Sequence, residues 1–113
     1  MLTIAELPGF IRAAEKLLSE VERLDVIRYL AAHPKSGDLI EGTGGVRKLR
    51  WRRGNHGKSG GIRVIYYFHD EDIPLYLITL FSKGDRANLS GAERNELYAL
   101  TGILANTWRK RQT

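Results

Sequence analysis

No cysteine occurs anywhere in the chain, and that absence removes disulfides, thiolate nucleophiles and cysteine-ligated zinc from consideration. Histidine is scarce too. His33, His56 and His69 lack the helical spacing of a histidine metal site, so no metal and no cofactor are expected. Long apolar runs are missing: nothing approaches the ~20 residues of a membrane span, and the first residues show neither half of a secretory leader. A cytoplasmic protein with no membrane partner is therefore expected. The last shortage is local. Between Gly42 and His69 there is no Asp or Glu, while the same stretch carries seven cations: Arg47, Lys48, Arg50, Arg52, Arg53, Lys58 and Arg63. The rest of the chain has eleven Lys and Arg against all 13 acidic residues, a formal charge of −2. A basic segment in a mildly acidic surround is the electrostatic footprint of a polyanion site.

With 113 residues, 42% hydrophobic and 27% charged, the composition is that of an ordinary soluble protein, and residues 1–113 are expected to form one domain. The net charge of +5 suits a nucleic-acid partner, an acidic protein partner, or both. Clustering of the cations on one unit favours a functional surface over a merely solvated one.

Within the basic stretch apolar and charged residues alternate through Val46 to Arg53 and again through Ile62 to Phe68, the period of two that defines a strand. Leu49 and Trp51 share one face of the first strand; Lys48, Arg50 and Arg52 share the other. In the second, Ile62, Val64, Tyr66 and Phe68 lie opposite Arg63, Ile65 and Tyr67. The segment between, RGNHGKSGG, reads as a hairpin loop longer than the two-residue optimum.

Around this hairpin the chain reads as scaffold. Leu2 and Ile4 alternate as a short strand would. Pro8 suits the first turn of a helix carrying Phe10, Ala14, Leu17 and Leu18. Ser19 and Glu22 form a capping box that opens a second helix, with Leu24, Ile27 and Leu30 or Ala31 as its buried stripe and an end before Pro34. Residues 34–45 are a turn-rich connector. Leu75 to Ser82 reads as the central strand. Ser90 and Glu93 make a second capping box, opening a last helix with Leu97, Leu100, Leu104 and Trp108 toward the core. The basic residues 109–111 at its end favour the helix dipole.

Two decoys fall away on context. Gly42, Gly44 and Gly45 precede a strand instead of following one, unlike a nucleotide-binding loop. Gly57-Lys58-Ser59 copies the tail of a Walker A motif, but that motif needs Gly where Arg52 stands and a helix after the Ser, which Gly60 and Gly61 break. Lys58 on a glycine loop remains a candidate phosphate contact.

The order and size of these elements resemble the RelE/HigB toxins of the RelE/ParE superfamily. The residues that carry the resemblance are Glu6-Leu-Pro, Gly44-Gly-Val-Arg-Lys-Leu-Arg-Trp51, Gly57-Lys-Ser-Gly-Gly-Ile-Arg-Val-Ile-Tyr-Tyr67, Leu80-Phe-Ser-Lys83 and Asn88-Leu-Ser90. The resemblance implies an α+β fold, a small antiparallel sheet flanked by two N-terminal helices and a C-terminal helix. It implies a toxin of a type II toxin-antitoxin system: a ribosome-dependent mRNA interferase, metal-independent, that inhibits translation. Its partners would be the ribosome, mRNA and a cognate antitoxin of helix-turn-helix type. By position, Arg63 matches the arginine that contacts the scissile phosphate, Lys83 falls near the second catalytic cation, and Arg86 is its neighbour. Lys58 is the remaining catalytic candidate. Lys48, Arg50, Arg52, Arg53, Tyr67 and Asn88 are the candidate RNA contacts. Where RelE-type sequences have a tyrosine after the second cation, this chain has Asn88 and Leu89, so the identity of the base stays open.

RNA cleavage of this kind needs a base for the 2′-OH, an acid for the departing 5′-oxygen and a stabiliser of charge between them. Arg63 suits the last role, since a guanidinium grips two phosphate oxygens and stays protonated. Lys58 or Lys83 is the expected base, and Arg86 or Lys83 the acid or its support. Of the histidines, His69 shares strand parity with Arg63 but stands about 20 Å along the strand, at ~3.3 Å per residue; loop position His56 is the better placed. Trp51 and Tyr66 are expected in the core, and Tyr67 is the aromatic candidate for stacking on a base. Two other readings stay open: a ParE-like gyrase poison, and a basic RNA-binding module without catalysis.

Overall fold

A computed structural model describes residues 2–52, 61–86 and 88–112, with side chains described as far as residue 109. The chain runs β1 (Ile4–Glu6), α1 (Pro8–Leu17), α2 (Glu20–Ala32), β2 (Asp38–Leu39), β3 (Val46–Arg52), β4 (Gly61–Tyr67), β5 (Leu75–Ser82) and α3 (Gly91–Gln112). The strands form one sheet in the order β1-β5-β4-β3-β2, parallel only where β1 joins β5. The α+β fold expected from the sequence is present, with a mixed sheet of five strands among the described residues. The middle position belongs to β4 and not, as the apolar run suggested, to β5. That run reports burial on both faces, which β5 has as an interior strand, and burial does not encode strand order.

Both capping readings hold for α2. Ser19 Oγ accepts from Glu22 N at 3.1 Å, and Glu22 Oε1 accepts from Ser19 N at 2.9 Å. Its buried residues, however, are Val26 and Leu30, with Ile27 only partly covered. Arg23, three residues before Val26 on the same stripe, donates from Nη1 to both Glu6 carboxylate oxygens at 2.8 Å and ties α2 to β1.

Two cores sit on the two sheet faces. Phe10 and Ala14 of α1 and Val26 and Leu30 of α2 pack on Leu49, Ile62, Val64, Tyr66, Leu75, Leu77 and Leu80. On the other face Leu97 of α3 joins Val46, Ile65 and Phe81, with Ile40, Ile78, Leu89 and Leu100 at its margin. The β4–β5 register shifts between Ile65 and Tyr66, leaving Ile78 as the extra residue of a bulge. Helix α1 closes on that bulge through Gly9, where a Cβ would stand 3.2 Å from the Ile78 carbonyl oxygen.

The connector of residues 34–45 is pinned from both sides. Tyr66, fully buried, donates its hydroxyl to the Pro34 carbonyl and accepts from Gly37 N, each at 2.8 Å. Arg47 Nη1 donates to the Gly37 and Lys35 carbonyls, so this cation of the basic stretch is structural. Thr101 Oγ1 on α3 donates to the Thr43 carbonyl at 3.0 Å. Gly44 makes that approach possible, since it has φ +75° and a Cβ there would run into Thr101 Oγ1. The glycine-rich connector thus seats α3 on the sheet. Trp108 Nε1 donates to Tyr76 Oη further along the helix.

Removing the Tyr66 hydroxyl leaves the buried Gly37 N–H without its acceptor. Tyr66→Phe should lower folding stability by about 1–3 kcal/mol in urea titration; wild-type stability would contradict this role.

Candidate nucleic-acid interface

Alternation along β3 and β4 places a row of cations on the α3 face of the sheet, and the register shows which meet. Lys48 stands opposite Ile65, Arg50 opposite Arg63, and Arg52 opposite Gly61. Arg63 in turn stands opposite Phe81 of β5. Helix α3 covers this face over Val46 and Ile65, toward one end of β3 and β4, and over Phe81, the neighbour of Arg63. Toward the other end of β3 and β4 Arg63 is half-buried while Arg50 and Arg52 are exposed.

Arg63 leans back along its own strand over Gly61. A Cβ on Gly61 would stand 2.8 Å from Arg63 Nη1 and 3.5 Å from Lys83 Cβ. Lys83 is brought there by its backbone N–H, which donates to the Gly61 carbonyl at 2.7 Å. The head of Arg63 and the root of Lys83 therefore meet above one glycine. Among the described residues no carboxylate pairs with Arg63 or Lys83.

A tight turn after β5 adds the next cation. Asp85 N and Arg86 N donate to the Ser82 carbonyl at 3.0 and 3.3 Å, and Gly84 N donates to Ser82 Oγ at 3.1 Å. This reversal lays the Arg86 guanidinium over the Phe81 ring, 4.4 Å from its centroid. Arg86 Nη1 also donates to Glu93 Oε2 at 2.5 Å. The capping box read from Ser90 and Glu93 is present, with Glu93 Oε1 accepting from Ser90 N and Ser90 Oγ from Glu93 N. Asn88 is exposed just before it.

Other sequence candidates fall elsewhere. Lys58, Arg53 and His56 lie outside the described residues. Tyr67 shares the Arg63 face but is only 3% exposed, under the Gly45 turn, where a Cβ would be 3.3 Å from its ring. Alternation assigned its face without showing what covers it, and a ring so enclosed has no surface for stacking on a base. Burial, with Asp70 adding to it, raises the Tyr67 hydroxyl above its ordinary pKa of 10.0, which also disfavours a role as base. Its hydroxyl lies 3.3 Å from Nδ1 of His69. Trp51 packs against the core of the α1–α2 face, edge-on to Tyr29.

One cation of the α3 face went unread in the sequence. Arg94 lies on the same helical stripe as Leu97 and Thr101, and its Nε is buried with no hydrogen-bond partner. The spacing to Leu97 is its only sequence signal, and counting apolar residues alone passes over it.

A hollow of about 310 Å³ lies apart from this cluster, lined by Glu6, Glu15, Glu20 and Arg23 with Ile11 and Leu18. Three carboxylates against one guanidinium make it unsuited to a polyanion. Among the described residues no group of His, Asp or Glu converges as metal ligands would.

The class defined so far is a small α+β protein whose concentrated positive charge stands at one end of an open sheet. The chain matches the family model described as RelE toxin of RelE / RelB toxin-antitoxin system over residues 10–112. It belongs to that family, and is thus a toxin with an antitoxin partner. Among the described residues no helix is long and apolar enough to cross a membrane.

The Glu93 carboxylate is held below its ordinary value of 4.5, first by the hydrogen bond from Arg86 and then by that from Ser90 N. A depressed folded-state pKa stabilises the fold above the unfolded value, and that contribution disappears as pH falls through the folded one. Thermal melts from pH 6 to pH 3 should show a stability loss below pH 4.5 that is smaller in Glu93→Gln; parallel curves for the two proteins would contradict this assignment.

Proposed function

We propose that this toxin is an endoribonuclease that cuts mRNA on the ribosome in the cytoplasm, inhibits translation, and is neutralised by a helix-turn-helix antitoxin. The observation that carries the reading is the meeting of Arg63 and Lys83 over Gly61, with Arg50, Arg52 and Arg86 around them and no carboxylate on Arg63 among the described residues. Like charges directly opposite on neighbouring strands destabilise a sheet. The Arg50–Arg63 pair is relieved when an anion lies between its members, and a phosphodiester is such an anion.

In the proposed reaction the 2′-oxygen attacks the adjacent phosphorus in line and the bond from phosphorus to the 5′-oxygen breaks. The products are a 2′,3′-cyclic phosphate and a free 5′-hydroxyl. Arg63 binds the non-bridging oxygens and stabilises the charge that grows on them, a task for a group whose geometry is set beforehand. An amine removes the 2′-OH proton: Lys83, or Lys58 of the loop. The leaving 5′-oxygen takes its proton from Arg86, or from Lys83 with Arg86 in support where Lys58 is the base, so the proton lost from the 2′-OH is matched by the one delivered there. Arg50, Arg52 and Lys48 hold the flanking phosphates, with Arg53 and Asn88 as further contacts. The charge is carried by the chain's own cations, so the route requires no metal.

Arg63→Ala should keep the wild-type fold and lower cleavage of translated message by about 10²–10³-fold, read by mapping 5′ ends in a reconstituted translation system. Gly61→Ala meets only the tip of a flexible side chain, so it should leave the melting temperature nearly unchanged while displacing the Arg63 head and slowing cleavage. Undiminished cutting by Arg63→Ala would overturn the assignment. Intact message together with arrested gyrase supercoiling would favour a protein-binding poison instead.

A further inference from the structure

We infer that Glu93 is a positioning residue of this site: anchored to the start of α3, its carboxylate holds the Arg86 guanidinium over Phe81, beside Arg63. The inference rests on the nuclease reading and adds to it the means by which a long, flexible cation is kept in place.

Four contacts define the arrangement. One carboxylate oxygen of Glu93 accepts from Ser90 N at 2.9 Å, and the Ser90 hydroxyl oxygen accepts from Glu93 N at 3.1 Å. The other oxygen accepts from Arg86 Nη1 at 2.5 Å. The face of the guanidinium rests on Phe81, which is the register partner of Arg63. An arginine side chain left free gives up considerable rotamer freedom on meeting a phosphate. Here that freedom is already restricted by a carboxylate that the helix terminus itself orients. Arg86 nevertheless keeps 38% of its side chain exposed, so N–H groups beyond the one given to Glu93 remain available to an anion.

The same geometry separates a positioning role from a structural one. A glutamine at position 93 still offers an oxygen to Ser90 N, and capping boxes accept Glu or Gln alike. What it loses is the negative charge facing Arg86. Glu93→Gln should therefore keep its circular dichroism at neutral pH and melt there below the wild type only by the contribution of the ionised carboxylate, no more than Arg86→Ala does, while single-turnover cleavage on programmed ribosomes slows by about 10-fold or more with little change in the toxin concentration giving half-maximal rate. In an Arg86→Ala background the same change should have no further effect, because the group it positions is gone.

A second readout does not depend on cleavage. Rotation about the Arg86 Nε–Cζ bond, followed by ¹⁵N-edited NMR, should be slow in the wild type and fast in Glu93→Gln. Wild-type cleavage by Glu93→Gln would overturn the inference while leaving the nuclease reading standing. So would a full effect of Glu93→Gln in the absence of Arg86. If the wild type cuts no message, the nuclease reading fails, and equal Arg86 rotation in both proteins would then overturn the positioning role as well.

Discussion

Two arginines paired directly opposite each other on adjacent strands are an unfavourable arrangement, and the sheet keeps it at Arg50 and Arg63. The sheet forces the juxtaposition through register. The hydrophobic cores on both faces supply the stability against which the repulsion is set, and both reach the cations: Leu49, Trp51 and Ile62 alternate with them along the strands on the α1–α2 face, and Phe81 stands opposite Arg63 on the other. Gly61 leaves the space into which Arg63 folds back. The outcome is a local excess of positive charge.

Helix α3 links this charge to the rest of the molecule. Its middle seats on the sheet through Leu97 and through the bond from Thr101 to the glycine turn at Thr43, which requires Gly44. Its first turn receives Arg86 through Glu93. Packing of the helix and placement of Arg86 are therefore parts of one construction. The acidic hollow between β1, α1 and α2 completes the charge asymmetry that the sequence already showed: basic side chains gather around β3, β4 and the turn after β5, acidic ones around Arg23.

Much of this was readable from residue order. Period-two alternation placed Lys48, Arg50 and Arg52 on one face of β3 and Arg63 with Ile65 and Tyr67 on one face of β4, the register joining the two faces, and Ser-x-x-Glu spacing located the starts of α2 and α3. What periodicity does not contain is the identity of the covering element. Tyr67 and Arg63 have the same parity, yet one is buried beneath the glycine turn and the other stands at the open end. The stacking of Arg86 on Phe81, and its tie to Glu93, depend on how sharply the chain reverses after Ser82, a property of backbone hydrogen bonds and not of composition. Arg94 was hidden for a related reason, since a cation on an apolar helical stripe carries no signal when only apolar residues are counted. The parallel strand β1 was legible only as a short alternation, and its pairing with β5 is a long-range contact that no local pattern announces.

The account's central claim is that these cations converge on a single RNA phosphate. A crystal structure with a short oligoribonucleotide blocked by 2′-O-methyl groups tests it most directly. The account predicts one phosphate within hydrogen-bond distance of the Arg63 guanidinium, with Lys83 and Arg86 on either side of it. RNA bound elsewhere, with Arg63 left free or turned away from every phosphate, would contradict it.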